Sequence, residues 1–328
     1  MTHQPPPLVS VIVEGYNAPR NEGSFVTFLD TLKQQSFPLN HVEVIIVGTA
    51  QQIQELQEME LGLTDFHRVK MVVSEQEHYY KMKNLGASEA SGEILAFSDS
   101  DTWLMPQWLD SLVSRINQGA DVTVGITLFR SHRGLEPYTA RMRSVASITF
   151  GWIIGKRSAT ETFPAVGWQS NNVAFRADVF HQYYYETEYG RTLSPSLLYR
   201  KMTDDGRKIV LEPQQQVLHV FSLYWWHRVH FRYGYEIYWL RRLDPNYPNQ
   251  WIRRTTIFEP IVTMLWHMLL DSRRWFRFGQ VMGIHNLQIW TQFPLMMAMS
   301  AFAHSMECCG MYATIIAPER MKQWSSYF

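Results

Sequence analysis

The sequence predicts an α/β fold built on a doubly wound, largely parallel sheet. Three observations predict it. Short β-branched apolar runs recur through residues 8–97, amphipathic helical stretches separate them, and polar turns rich in Gly, Asn or Asp follow them.

Leu8–Val13 (LVSVIV) is nearly all apolar, the pattern of a strand buried on both faces. Glu14–Asn21 is a polar turn with Gly15, Asn17 and Pro19. Ser24–Gln35 carries Phe25, Phe28, Leu29 and Leu32 at helical spacing. Val42–Val47 is a second strand ended by Gly48, Gln51–Leu61 a polar helix, and Val69–Val73 a third strand. Tyr79–Ala90 reads as helix and Glu93–Phe97 as a fourth strand. Ligands of such sheets bind beyond the carboxyl ends of the strands.

The chain has 328 residues, 46% hydrophobic and 18% charged, so neither overall disorder nor a highly charged nucleic-acid binder fits. Residues 1–150 hold 11 Lys+Arg against 17 Asp+Glu, and residues 151–328 hold 19 against 13. An acidic α/β half thus precedes a basic, aromatic half. The adjacent Cys308 and Cys309 make neither a disulfide framework nor a zinc site alone. Met1–Pro7 lacks the apolar run of a secretory leader, so a cytosolic catalytic domain is the expectation.

Ser98-Asp99-Ser100-Asp101 follows the fourth strand directly. Carboxylates at i and i+2 of an extended segment share one side. In a loop they suit Mg²⁺ or Mn²⁺, with a diphosphate supplying other ligands. The competing reading is a polar turn in which Asp101 or Thr102 caps a helix over Trp103–Arg115.

The stretch from Lys83-Asn84-Leu85-Gly86 through Ser91-Gly92-Glu93 to Ser98-Asp99-Ser100-Asp101 resembles the nucleotide-sugar half of family 2 glycosyltransferases. Val9–Asn17 is similar to that family's first strand and turn, Gly167–Arg176 to its acceptor-side segment, and Gly206 to His219 to its closing strand and histidine. The resemblance spans residues 8–235 and implies a GT-A fold: a Rossmann-like mixed sheet flanked by helices. It implies that Asp99, Asp101 and His219 hold Mn²⁺ or Mg²⁺. It places Glu14, Tyr16, Asn17, Lys83 and Asp99 at the donor, with Lys81 or Lys83 approaching its phosphates or pairing with an acid. Trp168, Gln169 and Asn171 fall on the acceptor side, an aromatic face beside amide groups.

Two departures stand out. Family members often carry a base-reading Asp after the second strand, where this chain has Gly48-Thr49. The family's acidic pair near the acceptor aligns with Gly190–Ser196, which holds no acid. Glu188 and Glu186 are the nearest acids and stand as the catalytic-base assignments. Asp204 and Asp205 read as a helix-end turn before Gly206.

Tyr224–Arg242 mixes Arg and His with Trp and Tyr at near-helical spacing, which suits an anionic lipid surface. Thr256–Leu270 is an apolar helix. Phe278–Met306 holds no Asp, Glu, Lys or Arg, but His285, Asn286, Gln288 and Pro294 interrupt it. That pattern predicts an interfacial or re-entrant helical pair rather than a clean span; a soluble appendage or an oligomer interface is the alternative. The expected organisation is a GT-A domain over 1–222 and a helical, membrane-associating extension over 223–328.

The expected activity is metal-dependent, inverting transfer of a sugar from a nucleotide-sugar donor to a lipid or glycan acceptor. Its expected place is the cytoplasmic side of a membrane, without nucleic acid; a second copy of the chain is a candidate partner. The alternative is a catalytically degenerate relative that binds nucleotide-sugar without turnover. A nucleotidyltransferase fits less well, because Glu14–Gly23 offers only Arg20 for a basic phosphate loop.

Overall fold

The structure is a computed structural model and describes residues 8–15, 24–59, 61–130, 139–154, 163–165, 167–191, 193–281 and 284–326. Tyr16 and Asn17, assigned to the donor from sequence, lie outside these residues. Among the described residues the strands are β1 (Val9–Glu14), β2 (Val42–Gly48), β3 (Arg68–Val73), β4 (Ile94–Asp99), β5 (Thr102–Leu104), β6 (Val122–Arg130), β7 (Phe163–Pro164), β8 (Asn172–Arg176) and β9 (Ile209–Val220). The helices are α1 (Ser24–Lys33), α2 (Ala50–Gln57), α3 (Tyr79–Ser88), α4 (Trp108–Asn117), α5 (Ala140–Phe150), α6 (Ala177–Phe180), α7 (Leu193–Asp204), α8 (Leu223–Leu243), α9 (Glu259–Val281), α10 (Asn286–Ile316) and α11 (Pro318–Ser326).

The sheet runs β3-β2-β1-β4-β8-β6-β9-β5, with β7 pairing β9. β1 to β4 are parallel, and β8 joins β4 antiparallel. The four expected strands and three expected helices of residues 8–97 are all present, each within a few residues of its expected ends. β1, β2 and β4 are buried along their whole lengths, which is why their sequences run apolar without alternation. One expected helix is corrected. Thr102–Leu104 forms β5, and the helix expected from Trp103 begins at Trp108 with Gln107 as an N-cap that makes no side-chain bond. Neither Asp101 nor Thr102 caps it, because pairing with β9 claims the segment first.

The chain divides into two compact units: residues 1–127, 161–187 and 198–219, and residues 128–160, 188–197 and 220–328. The expected boundary at 222/223 lies beside the 219/220 division. Residues 128–160 and 188–197 group with the second unit, a grouping that chain order conceals.

The first unit packs α1 and α4 residues Phe28, Leu32, Trp108 and Leu112 against Val11, Val44 and Ala96 of the sheet. Full burial of each large apolar side chain contributes about 1.5–3 kcal/mol. A polar lock ties β1 and β2 to the turn that leads into β4. Glu43 accepts from Ser10 Oγ at 2.5 Å, from the Ser91 backbone N–H at 2.8 Å and from Ser91 Oγ at 3.0 Å, while Gly92 N donates to Ser10 Oγ at 2.8 Å. Burial pushes the Glu43 carboxyl up, but the Ser10 and Ser91 hydrogen bonds and the Arg68 charge outweigh it and hold the carboxyl below its ordinary value.

In the second unit, Trp226 of α8 donates to Thr149 Oγ1 at 2.9 Å and stacks on Phe302 of α10. Gly234 and Gly310 let α8 and α10 cross at backbone distance. A Cβ at Gly234 would lie 2.1 Å from the Glu307 carbonyl oxygen, and one at Gly310 would lie 1.9 Å from that of Phe231. The helix expected over Thr256–Leu270 starts instead at Glu259 and runs on to Val281; Thr256, at φ 53°, breaks the backbone just before it. α10 begins at Asn286, N-capped by His285, so Phe278–Met306 belongs to two helices. No helix among the described residues is long and apolar enough to cross a membrane.

Candidate active site

β4 ends at Asp99, and Asp101 lies just before β5. Thr102 fixes the turn between them: its hydroxyl donates to the Asp99 carbonyl at 2.8 Å and meets Ser98 Oγ at 2.7 Å. The β5–β9 ladder then sets Thr102 opposite His219. Residues more than a hundred positions apart in the chain thereby converge, with His219 Nε2 3.4 Å from Asp101 Oδ2. Both side chains are more than nine-tenths buried.

Asp99 has a different environment. Its Oδ1 accepts from Tyr79 Oη at 2.6 Å and from Lys83 Nζ at 2.9 Å. Lys83 is wholly buried, also donates to the Ser98 carbonyl at 3.0 Å, and lies 4.7 Å from the centre of the Tyr79 ring. Of the two roles open to Lys83, phosphate contact or an acid partner, the structure shows the second. Its ammonium is fully buried and holds the Ser98 carbonyl and the Asp99 carboxylate, so its link to the donor end of the sheet runs through Asp99. Lys81 instead hydrogen-bonds the Gln76 side chain.

Glu14 ends β1 and pairs in register with Asp99 on the neighbouring strand, fully buried. Thr49 and Gln52 form a reciprocal cap at the start of α2: Gln52 N donates to Thr49 Oγ1 at 3.3 Å and Thr49 N donates to Gln52 Oε1 at 2.8 Å. The Gly48-Thr49 that replaces the family's acid therefore builds a helix start.

The acceptor-side residues divide. Trp168 is 3% exposed and meets Phe175 and Tyr199 edge-on. Those contacts make it a core tryptophan, a correction to its assignment as an open stacking face. Asn171 is buried and its Oδ1 accepts from Thr127 at 3.3 Å. Gln169 is half-buried. The neighbouring Asn172 is a structural hub that sequence reasoning did not single out. It donates to the Ile126 and Gln215 carbonyls and accepts from Trp108 Nε1 and Gln215 Nε2, at 2.8–3.1 Å. Tyr79 was also missed, because an aromatic before a helical Lys carries no sign of which acid it meets. Tyr185 was given no role; it is buried and stacks on Tyr80 at 4.6 Å, and burial drives its hydroxyl pKa up.

Glu186 and Glu188 are both exposed and fall in different compact units. Asp204 ends α7, and Gly206 follows at φ 74°, the helix-end turn expected. A cavity of 680 Å³ lined by Arg115, Tyr199, Arg207 and Lys208 opens at the start of β9, the opposite end of that strand from His219.

The family model for glycosyl transferase family 2 matches residues 10–183, more than half of the chain. The chain belongs to that family. It is 29% identical over 158 residues to the glycosyltransferase AglE of Haloferax volcanii, a match covering 48% of this chain and 51% of that protein. It is 25% identical over 248 residues to the glucosyl-dolichyl phosphate glucuronosyltransferase of the same organism, covering 71% and 72%. The chain thus spans about half the length of AglE. Among solved structures, the mannosyltransferase PcManGT of Pyrobaculum calidifontis, in complex with GDP-Man and Mn²⁺, superposes at TM-score 0.56 with 15% identity, covering 95% of this chain and 88% of that one. S. aureus TarS 1-349 in complex with UDP gives 0.52 at 18% identity, covering 94% and 91%. These likenesses establish the GT-A fold.

The donor set fits a hard divalent cation. Asp101 and His219 present an oxygen and a nitrogen at the spacing of two ligands on one ion, at the carboxyl edge where such sheets bind ligands. Asp99 commits one oxygen to Lys83 and Tyr79, and Asp101 and His219 could hold such an ion.

Proposed function

We propose that this family member is an inverting glycosyltransferase that uses a nucleotide-sugar donor and Mn²⁺ or Mg²⁺, and passes the sugar to a lipid-linked or glycan acceptor at a membrane surface. The convergence of Asp101 and His219 beside the clamped Asp99 carries the reading. A cation held there supplies positive charge to the departing diphosphate. Lys83 and Tyr79 fix one oxygen of Asp99, which orients the loop beside Asp101. The acceptor hydroxyl loses its proton to a carboxylate, for which Glu188 and Glu186 are assigned. Its oxygen bonds to the sugar C1 as the C1–phosphate oxygen bond breaks. A nucleoside diphosphate leaves, and this single in-line displacement inverts C1.

The membrane part of the proposal draws on exposure. Ile257, Ile261, Leu265 and Leu269 recur every four residues, all exposed, with exposed Arg253, Arg254 and Arg273 at the two ends of the stripe. An apolar stripe flanked by cations suits the anionic cytoplasmic face of a bilayer. The assay is nucleoside diphosphate release across a panel of nucleotide sugars with Mn²⁺ or Mg²⁺, with and without lipid extract. Release from one donor, raised by lipid and lost in Asp101→Ala, is expected. Binding of a donor without release from any would overturn the catalytic reading in favour of a degenerate relative.

A further inference from the structure

We propose a second metal site, in the helical unit and built only from its residues, that takes one Zn²⁺-class ion on the Nδ1 atoms of His267 and His304 and the carboxylate of Glu307, with His230 holding the other carboxylate oxygen. The three imidazoles come from three helices, α8, α9 and α10, and converge on one carboxylate. His230 Nδ1 lies 2.8 Å from Glu307 Oε1; His267 Nδ1 and His304 Nδ1 lie 2.9 and 2.7 Å from Oε2. His267, His304 and Glu307 offer ligand atoms that all lie within 4.8 Å of one another. His304 and Glu307, at i and i+3, share a face of α10, with His230 and His267 added from the facing helices. Helical bundles build metal centres from this kind of inward-facing set.

The surroundings of His304 fit those of an oriented ligand. Its Nε2 lies 2.7 Å from Asp271 Oδ2, which also accepts from Ser300 Oγ at 2.8 Å and has Arg274 within 3.6 Å. Asp271 Oδ2 thereby fixes the His304 ring from its far nitrogen and turns Nδ1 toward Glu307. A carboxylate holding the far nitrogen of an imidazole is the arrangement that orients metal-bound histidines. Two nitrogens and one oxygen form the three-ligand set of a zinc site whose fourth position is left to water. Bonds of about 2.0–2.2 Å place tetrahedral ligand atoms roughly 3.4 Å apart, within the 4.8 Å spread of this group. An ion here cross-links α9 and α10 and stabilises the unit without taking part in transfer.

The test uses the full untagged chain grown with zinc and analysed for metal by mass spectrometry. One equivalent of zinc per chain is expected, retained in Asp101→Ala and lost in Glu307→Gln and His267→Gln. Removal by a strong chelator is expected to lower Tm by about 10 °C, and Zn²⁺ to restore it. Should the variants fail to fold, Co²⁺ loaded into the stripped wild-type chain supplies the second readout, since tetrahedral Co²⁺ shows intense visible bands. A zinc-free wild-type protein with the same Tm before and after chelation and no Co²⁺ bands would overturn the proposal and leave a proton as the only cation in the cluster.

Discussion

Replacing Lys83 with Met removes a charge and keeps most of the volume. The Lys83 ammonium is 0% exposed and lies 2.9 Å from Asp99, itself 6% exposed. At that separation, and at an effective dielectric of about 20, the Coulomb attraction is about 6 kcal/mol. Desolvation offsets much of it, so the pair's net worth is smaller. Removing one partner costs more than the net worth, because Asp99 is left charged and buried without its ammonium, and the Ser98 carbonyl loses the same donor. Breaking a buried pair in this way costs about 3–5 kcal/mol, against about 0–1 for a surface pair. Urea unfolding followed by tryptophan fluorescence reads the loss as a lowered midpoint at unchanged slope. Asp99→Asn alone strands the ammonium, and the double variant strands neither charge. The two single losses should therefore exceed the double loss by about 2–3 kcal/mol. A Lys83→Met loss below about 1 kcal/mol, or single losses that simply add, would refute the clamp and return Lys83 to a role at the donor.

Other perturbations separate structure from chemistry. His219→Ala should lower the rate of nucleoside diphosphate release by roughly 10²-fold and raise the Mn²⁺ concentration needed for half-maximal rate, with little change in urea midpoint; an unchanged metal requirement would remove His219 from the ion. Because the Glu43 carboxyl is held low in the fold, its contribution is present above the unfolded value of about 4.5 and is lost as pH falls through the lower folded value. Glu43→Gln should therefore flatten the acid limb of stability against pH, and an unaltered limb would discount the lock. Asn172→Leu leaves Trp108 Nε1 and two carbonyls unpaired in the core and should cost about 3 kcal/mol or more, measured by the urea midpoint. Leu265→Glu places a charge in the exposed stripe and should weaken sedimentation with anionic vesicles several-fold without shifting Tm; equal sedimentation would discount this face as the membrane contact.

The α/β class and the first four strands were legible because burial on both faces of a parallel sheet leaves a local record, an unbroken β-branched run such as VEVIIV. Asp99 and Asp101 were legible because their spacing follows one of those runs directly. The partners that give each acid its role were not. Lys83 and Tyr79 reach Asp99 across the α3–β4 packing, and His219 reaches Asp101 only through the register of β5 on β9. Asn172 and Trp168 show how little an isolated residue type says. Both lie in a polar or aromatic stretch that reads as surface, yet one is a saturated hub in the core and the other is packed edge-on among aromatic rings. In the helical unit, the sequence shows amphipathic aromatic stretches and interrupted apolar ones, and nothing in their periodicity pairs His230 with His304 or Asp271. Residues 77 positions apart meet on Glu307 because Gly234 and Gly310 let two helices cross at backbone distance. Local sequence thus determined which segments become strands and helices, since that depends on near neighbours and on a buried face. Tertiary packing alone decided which charges face each other, since the energy of a buried charge depends on partners that the chain supplies from far away.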